Sequence, residues 1–201
     1  MKEFVRTAIG AAIVAAASVT AQAYPTKPIR IVIGFAPGGP ADIVGRLVSP
    51  KMSEALTQQA IIENRGGASG TIGAEAVVKS LPNGYTIGLG SSGNLIMAPH
   101  LYPKLGYNVG RDIAPISCLA QSAYALSVNP TVPAKTVGEL VRIARTRKYS
   151  LTYGTSGAGS TSHVAAELFR SAAAVELTHV PFKGTGPSLT AVMAGEIDMM
   201  F

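Results

Sequence analysis

Ile29-Arg-Ile-Val-Ile-Gly-Phe35 runs directly into Ala36-Pro-Gly-Gly-Pro-Ala-Asp42 and then into a helical pattern. An apolar run of strand length, a Gly/Pro turn and a helix start form the front half of a βα unit. The two glycines let backbone N–H groups face outward at the helix N-terminus, where the helix dipole favours anions. A second unit of this kind follows at residues 150–153, then Gly154-Thr-Ser-Gly-Ala-Gly-Ser-Thr-Ser162, then a helix from about His163. Two such termini facing one cleft would grip a small carboxylate.

The alternation continues along the sequence. Residues 44–56 predict an amphipathic helix that Pro50 kinks or divides. A strand is expected at 60–64, a turn at 65–70 and a helix at 72–80. Pro82-Asn-Gly84 is turn chemistry, a third strand spans 85–90, and Ser91-Ser-Gly-Asn94 opens a loop at its carboxyl end. This βαβαβ order predicts an α/β fold: a parallel sheet, helices on both faces, right-handed crossovers. Residues 101–113 read as irregular. Residues 116–129 read as a long apolar strand crossing between two lobes, with the boundary near Ser122–Tyr124. In the second lobe, Thr136-Val-Gly-Glu139 is a capping box opening a helix to about Arg147. Strands are expected at 151–153 and 175–182, helices at 162–173 and 187–194, the latter with proline near its first position. A last strand begins at 197. The sequence ends within it, so the second lobe is expected to be incomplete and the protein truncated at its carboxyl end. The predicted organisation is a leader at 1–23, lobe 1 at 24–122 and lobe 2 at 123–201.

The leader is read from Met1-Lys-Glu-Phe-Val-Arg6, which is net positive, a small apolar stretch at 7–19, and Ala21-Gln-Ala23. This reads as a Sec-type secretory signal with cleavage after Ala23, so the protein is expected to be exported. The apolar stretch falls short of the ~18 residues that span a bilayer. The formal charge is +6, and removing Lys2, Glu3 and Arg6 leaves +5 over the 178 residues from Tyr24. Arg142, Arg145, Arg147 and Lys148 read as one solvated face. With no basic stripe interleaved with aromatics, nucleic acid is not an expected partner. A modest positive excess does suit capture of an anionic solute. The single cysteine, Cys118, is expected as a small buried hydrophobe in a strand. His100, His163 and His179 lack metal-ligand spacing, so no metal is expected. No cofactor is expected either. Gly34 to Gly39 is followed by Pro40-Ala41 rather than Lys-Ser/Thr, and Gly157-Ala-Gly159 lacks the third glycine of a dinucleotide loop.

Individual residues carry paired readings. Asp42 caps its helix, or meets a ligand that also bears an amine. The serines at 156–162 cap a helix, which is compatible with ligand binding. His163 donates to a ligand, or bonds locally. Lys183 is a counter-charge for a carboxylate, or an exposed lysine. Ser156 lies between strand and helix as a nucleophile elbow would. Alanine nevertheless stands at 158 where that motif needs glycine, and its acid and base would have to be Asp198 and His179 or His163.

Six ordered stretches resemble one family. They are Tyr24-Pro-Thr-Lys-Pro-Ile-Arg-Ile-Val-Ile33, Phe35-Ala-Pro-Gly-Gly-Pro-Ala-Asp42, Glu63-Asn-Arg-Gly-Gly67 with Gly73-Ala-Glu75, Pro82-Asn-Gly-Tyr-Thr86, Ser160-Thr-Ser-His163 with Glu167-Leu-Phe169, and His179-Val-Pro-Phe-Lys-Gly184. Together they are similar to the Bug family, the extracytoplasmic solute receptors of tripartite tricarboxylate transporters. The resemblance implies a two-lobed, Venus-flytrap periplasmic binding protein of type II, monomeric and non-enzymatic. It would capture a small carboxylate and pass it to membrane permease subunits. It assigns ligand contacts to Pro37, Gly38, Gly39 and Pro40, with Asp42 beside them, on one lobe. On the other lobe it assigns Ser156, Gly157, Ser160, Thr161 and His163. Ser91, Ser92 and Asn94, with Lys183 and Gly184, are implied as further walls. Family members continue beyond Phe201, usually with Asp-Asn next, and Gly66-Gly67 replaces a commoner Pro-Gly. The alternatives are a non-functional truncated receptor and a serine hydrolase.

Overall fold

The computed structural model describes residues 24–146 and 150–201. The expected leader, and Arg147 and Lys148 of the basic cluster, lie outside them.

The first sheet has order β2-β1-β3, all parallel, from β1 (Ile29–Ile33), β2 (Ala60–Asn64) and β3 (Thr86–Leu89). Helix α1 (Pro40–Leu56) links β1 to β2 and α2 (Thr71–Val78) links β2 to β3. Successive strand side chains point to opposite faces, and the helices divide accordingly. Ile33, Ile62 and Leu89 meet Gly45 of α1, whereas Gly34 meets Gly73 and Gly88 meets Val77 of α2. At Gly34 a Cβ would lie 2.5 Å from the Gly70 carbonyl oxygen, so only glycine permits this approach of turn to strand. Short helices α3 (Ala98–Leu101) and α4 (Val109–Asp112) follow in the segment expected to be irregular.

The second sheet has order β4-β7-β5-β6, from β4 (Ser127–Val128), β5 (Leu151–Thr155), β6 (Leu177–Pro181) and β7 (Met199–Met200). Only β4 is antiparallel, to β7. One face packs Leu151, Tyr153 and Met199 against Leu140 of α5 (Val137–Thr146) and Ala166 of α6 (Thr161–Ala173). The other packs Val180, Phe182 and Met200 with Ala191 and Val192 of α7 (Thr185–Ala194). The capping box forms as read: Thr136 Oγ1 accepts the Glu139 N–H at 3.2 Å, and Glu139 accepts the N–H groups of Thr136 and Lys135.

Four expectations are corrected. Helix α1 runs on through the exposed Pro50, so that residue does not divide it. The long strand at 116–129 reduces to Ser127–Val128; residues 114–125 have no regular structure and are exposed. Cys118 is therefore exposed, not a buried strand residue. Apolarity marks a segment as able to pair, but a strand also needs a ladder. Among the described residues only Ser127 and Val128 meet one, at Met200 and Met199. The last helix starts at Thr185, placing Pro187 third rather than first.

The turn after β1 is fixed by Asp42. Its Oδ2 accepts the Gly38 N–H at 3.0 Å and Arg46 Nε at 2.9 Å, and its Oδ1 accepts Asn64 Nδ2 at 3.0 Å. The Arg46 guanidinium, then the Gly38 N–H and Asn64 amide, outweigh burial and lower its carboxyl to about 2. Asp42→Ala should lower unfolding free energy by an amount on the order of 2 kcal/mol at neutral pH. A depressed carboxyl stabilises above its unfolded value, so the gap between wild type and variant should close as pH falls from about 4 towards 2. Urea titrations across that range test this, and a gap unchanged at low pH would contradict it. In α7, the buried Ser188 hydroxyl finds no hydrogen-bond partner among the described residues. Ser188→Ala should raise stability by about 1 kcal/mol; a comparable loss in thermal melts would show that the hydroxyl is satisfied.

Candidate functional site

The carboxyl ends of β1, β2 and β3 and those of β5 and β6 meet along one seam. This is where open α/β sheets place ligands. The Ala36 N–H donates to the Lys183 carbonyl at 3.0 Å, joining the turn after β1 to the turn after β6. The Ser69 hydroxyl donates to the Ala158 carbonyl at 2.5 Å, joining the turn after β2 to that after β5. Gly93 approaches Ser160: a Cβ there would lie 3.7 Å from the Ser160 Cα.

The residues expected to face each other are brought to this seam in a different pairing. Gly38 and Gly39 approach Gly186 and Thr185, not the serine turn; a Cβ on Gly39 would lie 3.8 Å from the Thr185 nitrogen. Gly157 and Ser160 instead meet Ser69 and Gly93. Pro37, Gly38 and Pro40 are exposed, while Gly39 and Gly184 are buried. The N-terminal turns of helices α1 and α7 thus lie against each other. Neither has a side-chain cap: Gly39 and Gly184 hold the cap positions. Helix α6 differs, because Ser160 Oγ accepts the His163 N–H at 3.2 Å and satisfies that end internally.

Several expected contacts are committed within the protein. Both carboxylate oxygens of Asp42 serve the turn described above. Asn94 is buried, its Oδ1 accepting the Ser91 N–H at 2.8 Å and its Nδ2 donating to the Gly70 carbonyl at 3.2 Å. Ser92 and Lys183 are exposed, and Thr161 and His163 are half-buried. Ser156 Oγ lies 3.2 Å from Ser162 Oγ, and neither imidazole is its partner. His163 Nδ1 accepts the Gly159 N–H, and His179 Nε2 bonds Thr155 Oγ1. Asp198 accepts from Thr152. The groups a serine hydrolase would align are thus engaged separately.

Sequence reasoning read residues 65–70 only as a turn. Here Gly67, Ala68, Ser69 and Gly70 all have positive φ, and Ala68 and Ser69 lack glycine's freedom. Non-glycine residues held there mark strain that the surroundings impose. The glycines on either side were the available signal. Tyr102 was also missed; its hydroxyl donates to the Ala158 carbonyl at 2.8 Å. Tyr102 and Tyr107 line a cavity of about 400 Å³ behind the seam, and none of the residues singled out from the sequence borders it.

The profile of the tripartite tricarboxylate transporter family receptor, TctC, matches residues 44–201. Two curated relatives are a UPF0065 protein of Pseudomonas sp. strain P51 and BugT of Bordetella pertussis. The first is 36% identical over 89% of this chain and 53% of its own. The second is 31% identical over 90% of this chain and 56% of its own. The chain thus spans a little over half the length of these relatives. Among solved structures, a Rhodopseudomonas palustris protein with adipate superimposes with TM-score 0.82 at 35% identity, covering 88% of this chain and 59% of that one. MatC from Rhodopseudomonas palustris with bound malate gives 0.82 at 34%, covering 88% and 60%. These matches also bear out the expected α/β periplasmic binding protein class. On its profile match and its fold, the chain belongs to the receptor family of tripartite tricarboxylate transporters.

Proposed function

We propose that this protein captures a small carboxylate at the seam between its two sheets and presents it to a membrane permease of the tripartite type. The observation that carries this reading is the meeting of α1 and α7 at N-termini that lack a side-chain cap. Each leaves backbone N–H groups without an intrahelical partner; α1 carries Asp42 in its first turn, whereas α7 has no acidic residue there, so its positive end is left for an anion to stabilise. Pro37, Gly38, Gly39 and Pro40 form one wall and Lys183, Gly184 and Gly186 the other. Lys183 adds a mobile positive charge at the rim. Ser156, Gly157, Ser160 and Thr161, with Ser91 and Ser92, form the continuation that would hold a second carboxylate or a hydroxyl. The relatives solved with adipate and malate hold dicarboxylates, which supports a two-ended ligand of similar length.

The two sheets are the two lobes, with the boundary near Ser122–Tyr124, and hinge closure between them buries the solute. The protein works in the periplasm as a monomer after loss of residues 1–23, and it binds without catalysing. The engagement of Ser156 with Ser162 rather than with a histidine supports that last point.

A thermal-shift screen of the full-length protein against dicarboxylates and tricarboxylates, malate and adipate among them, tests the reading. At least one should stabilise the fold, by roughly 2.7 kcal/mol at a hundredfold excess over its Kd. Gly186→Ala places a Cβ 2.6 Å from the Pro37 carbonyl oxygen and so forces the two turns apart. It should remove most of the shift. If no carboxylate moves the melting temperature of the wild-type protein, the proposal fails.

A further inference from the structure

Behind the serine turn, three rings stack in the second sheet. Tyr153 of β5 and His179 of β6 lie 4.9 Å apart with planes at 18°, and His179 and His163 of α6 lie 4.1 Å apart at 14°. The stack is anchored at one end by the Tyr153 hydroxyl, which donates to Glu167 Oε1 at 2.7 Å. At the other end it holds the turn. His163 Nδ1 accepts the Gly159 N–H at 3.1 Å. His179 Nε2 lies 2.7 Å from Thr155 Oγ1, which accepts the Gly157 N–H at 3.2 Å. One imidazole therefore secures each side of the Gly157-Ala158-Gly159 turn.

An imidazole nitrogen that accepts a hydrogen bond carries no proton, so His163 as seen here is not the cation. Two imidazolium rings stacked at 4.1 Å would repel strongly, and the pair accommodates at most one proton near neutrality. Burial holds His179 below the ordinary histidine range, and the facing His163 ring adds to this while Glu167 opposes it. Burial thus disfavours the charged form of His179. The remaining groups around the stack do not compete for the proton. Burial and Glu167 raise the Tyr153 phenol, which stays neutral, and Glu167 is already paired with Arg170 at 2.8 Å. Tyr102 approaches the turn from the other side, hydrogen-bonded to the Ala158 carbonyl.

We infer that His163 and His179 are positioning residues acting as a single-proton unit, in which a proton taken at His163 Nδ1 frees the Gly159 N–H and couples carboxylate binding to proton uptake. No bond is made or broken beyond the hydrogen bond exchanged. The imidazolium puts positive charge behind the turn while the released N–H becomes a donor for a carboxylate oxygen. Both changes favour an anion, and by linkage a bound anion favours the proton. The coupling to ligand rests on the reading of the turn as part of a carboxylate site; the proton-dependent geometry does not.

Nuclear magnetic resonance of the isotope-labelled full-length protein, titrated without ligand from about pH 8 to about pH 5, tests the geometry through the histidine range. Both rings and the Gly159 amide should shift together in a single step, and His163→Phe should leave the Gly159 amide flat. Rings that titrate in two independent steps, or a Gly159 amide that ignores them, would overturn the inference. Should the variant not fold, the wild-type titration alone decides it. Calorimetry with malate and with adipate near pH 6.5, in two buffers of different ionisation enthalpy, tests the coupling. Binding should take up a fraction of one proton in the wild type and none in His163→Phe. Binding without uptake overturns the coupling. Failure of any carboxylate to bind instead overturns the receptor reading, and the ligand-free titration still judges the imidazole pair.

Discussion

The functional reading of this structure depends on how the main-chain N–H groups at its helix N-termini are satisfied. A helix that begins with a serine, as α6 does at Ser160, closes its first turn on itself. A helix that begins Gly-Pro, as α1 does, or Gly-Thr-Gly-Pro, as α7 does, has no cap side chain to do so, and in α1 it is Asp42 of the first turn that accepts the Gly38 N–H instead. The prolines reduce the number of orphan donors without removing them. The Ala36 to Lys183 hydrogen bond then brings these two ends together. Bringing them together in water without an acceptor is unfavourable, and the protein holds them there through glycines at which a side chain would collide. Gly66 shows the constraint: a Cβ would lie 2.9 Å from the Ala36 nitrogen and 3.0 Å from the Lys183 oxygen.

The parts of this arrangement that were legible in the sequence are those in which local chemistry alone decides. The strand at 60–64, the Thr136/Glu139 box and the Gly/Pro turns after β1 and β6 stand where they were expected, because turn and capping preferences act over a few residues. Which turn faces which was not legible. The two βα units look alike as sequence, yet the turn at 36–42 pairs with the turn at 183–186 while the serine turn pairs with 68–70. That choice is made by strand order in both sheets, which periodicity does not encode. The imidazole pair was invisible for the same reason. His163 and His179 are 16 positions apart, and only the parallel pairing of β5 with β6 and the packing of α6 on that face stack them. At 116–129 the pattern gave the wrong answer because apolarity says that a segment can pair and not that a partner strand is present. Within 114–125 no ladder forms among the described residues, and Cys118 is left exposed.

The seam also differs in kind from the packing on either side of it. The apolar clusters each belong to one sheet: Ile31, Ile33, Phe35 and Ala60 in the first, Leu140, Leu151, Tyr153 and Met199 on one face of the second, and Ala191, Val192 and Ile197 on the other. Among the described residues, the hydrogen bonds that cross the seam are made by backbone and by the Ser69 and Tyr102 hydroxyls, with glycines at the closest approaches and Leu101 against Gly159. A polar crossing of this type gains little from burial, because each hydrogen bond made replaces one to water and nets only about 1 kcal/mol. Separating the sheets therefore exposes few apolar side chains, as in contacts between domains that move. An apolar core within each sheet and a more polar seam between them are what the proposed hinge closure would use. The same distribution explains why the stacked rings matter. Half-buried against Tyr153, the two imidazoles belong to the second sheet alone, so the turn they hold is set from that side of the seam.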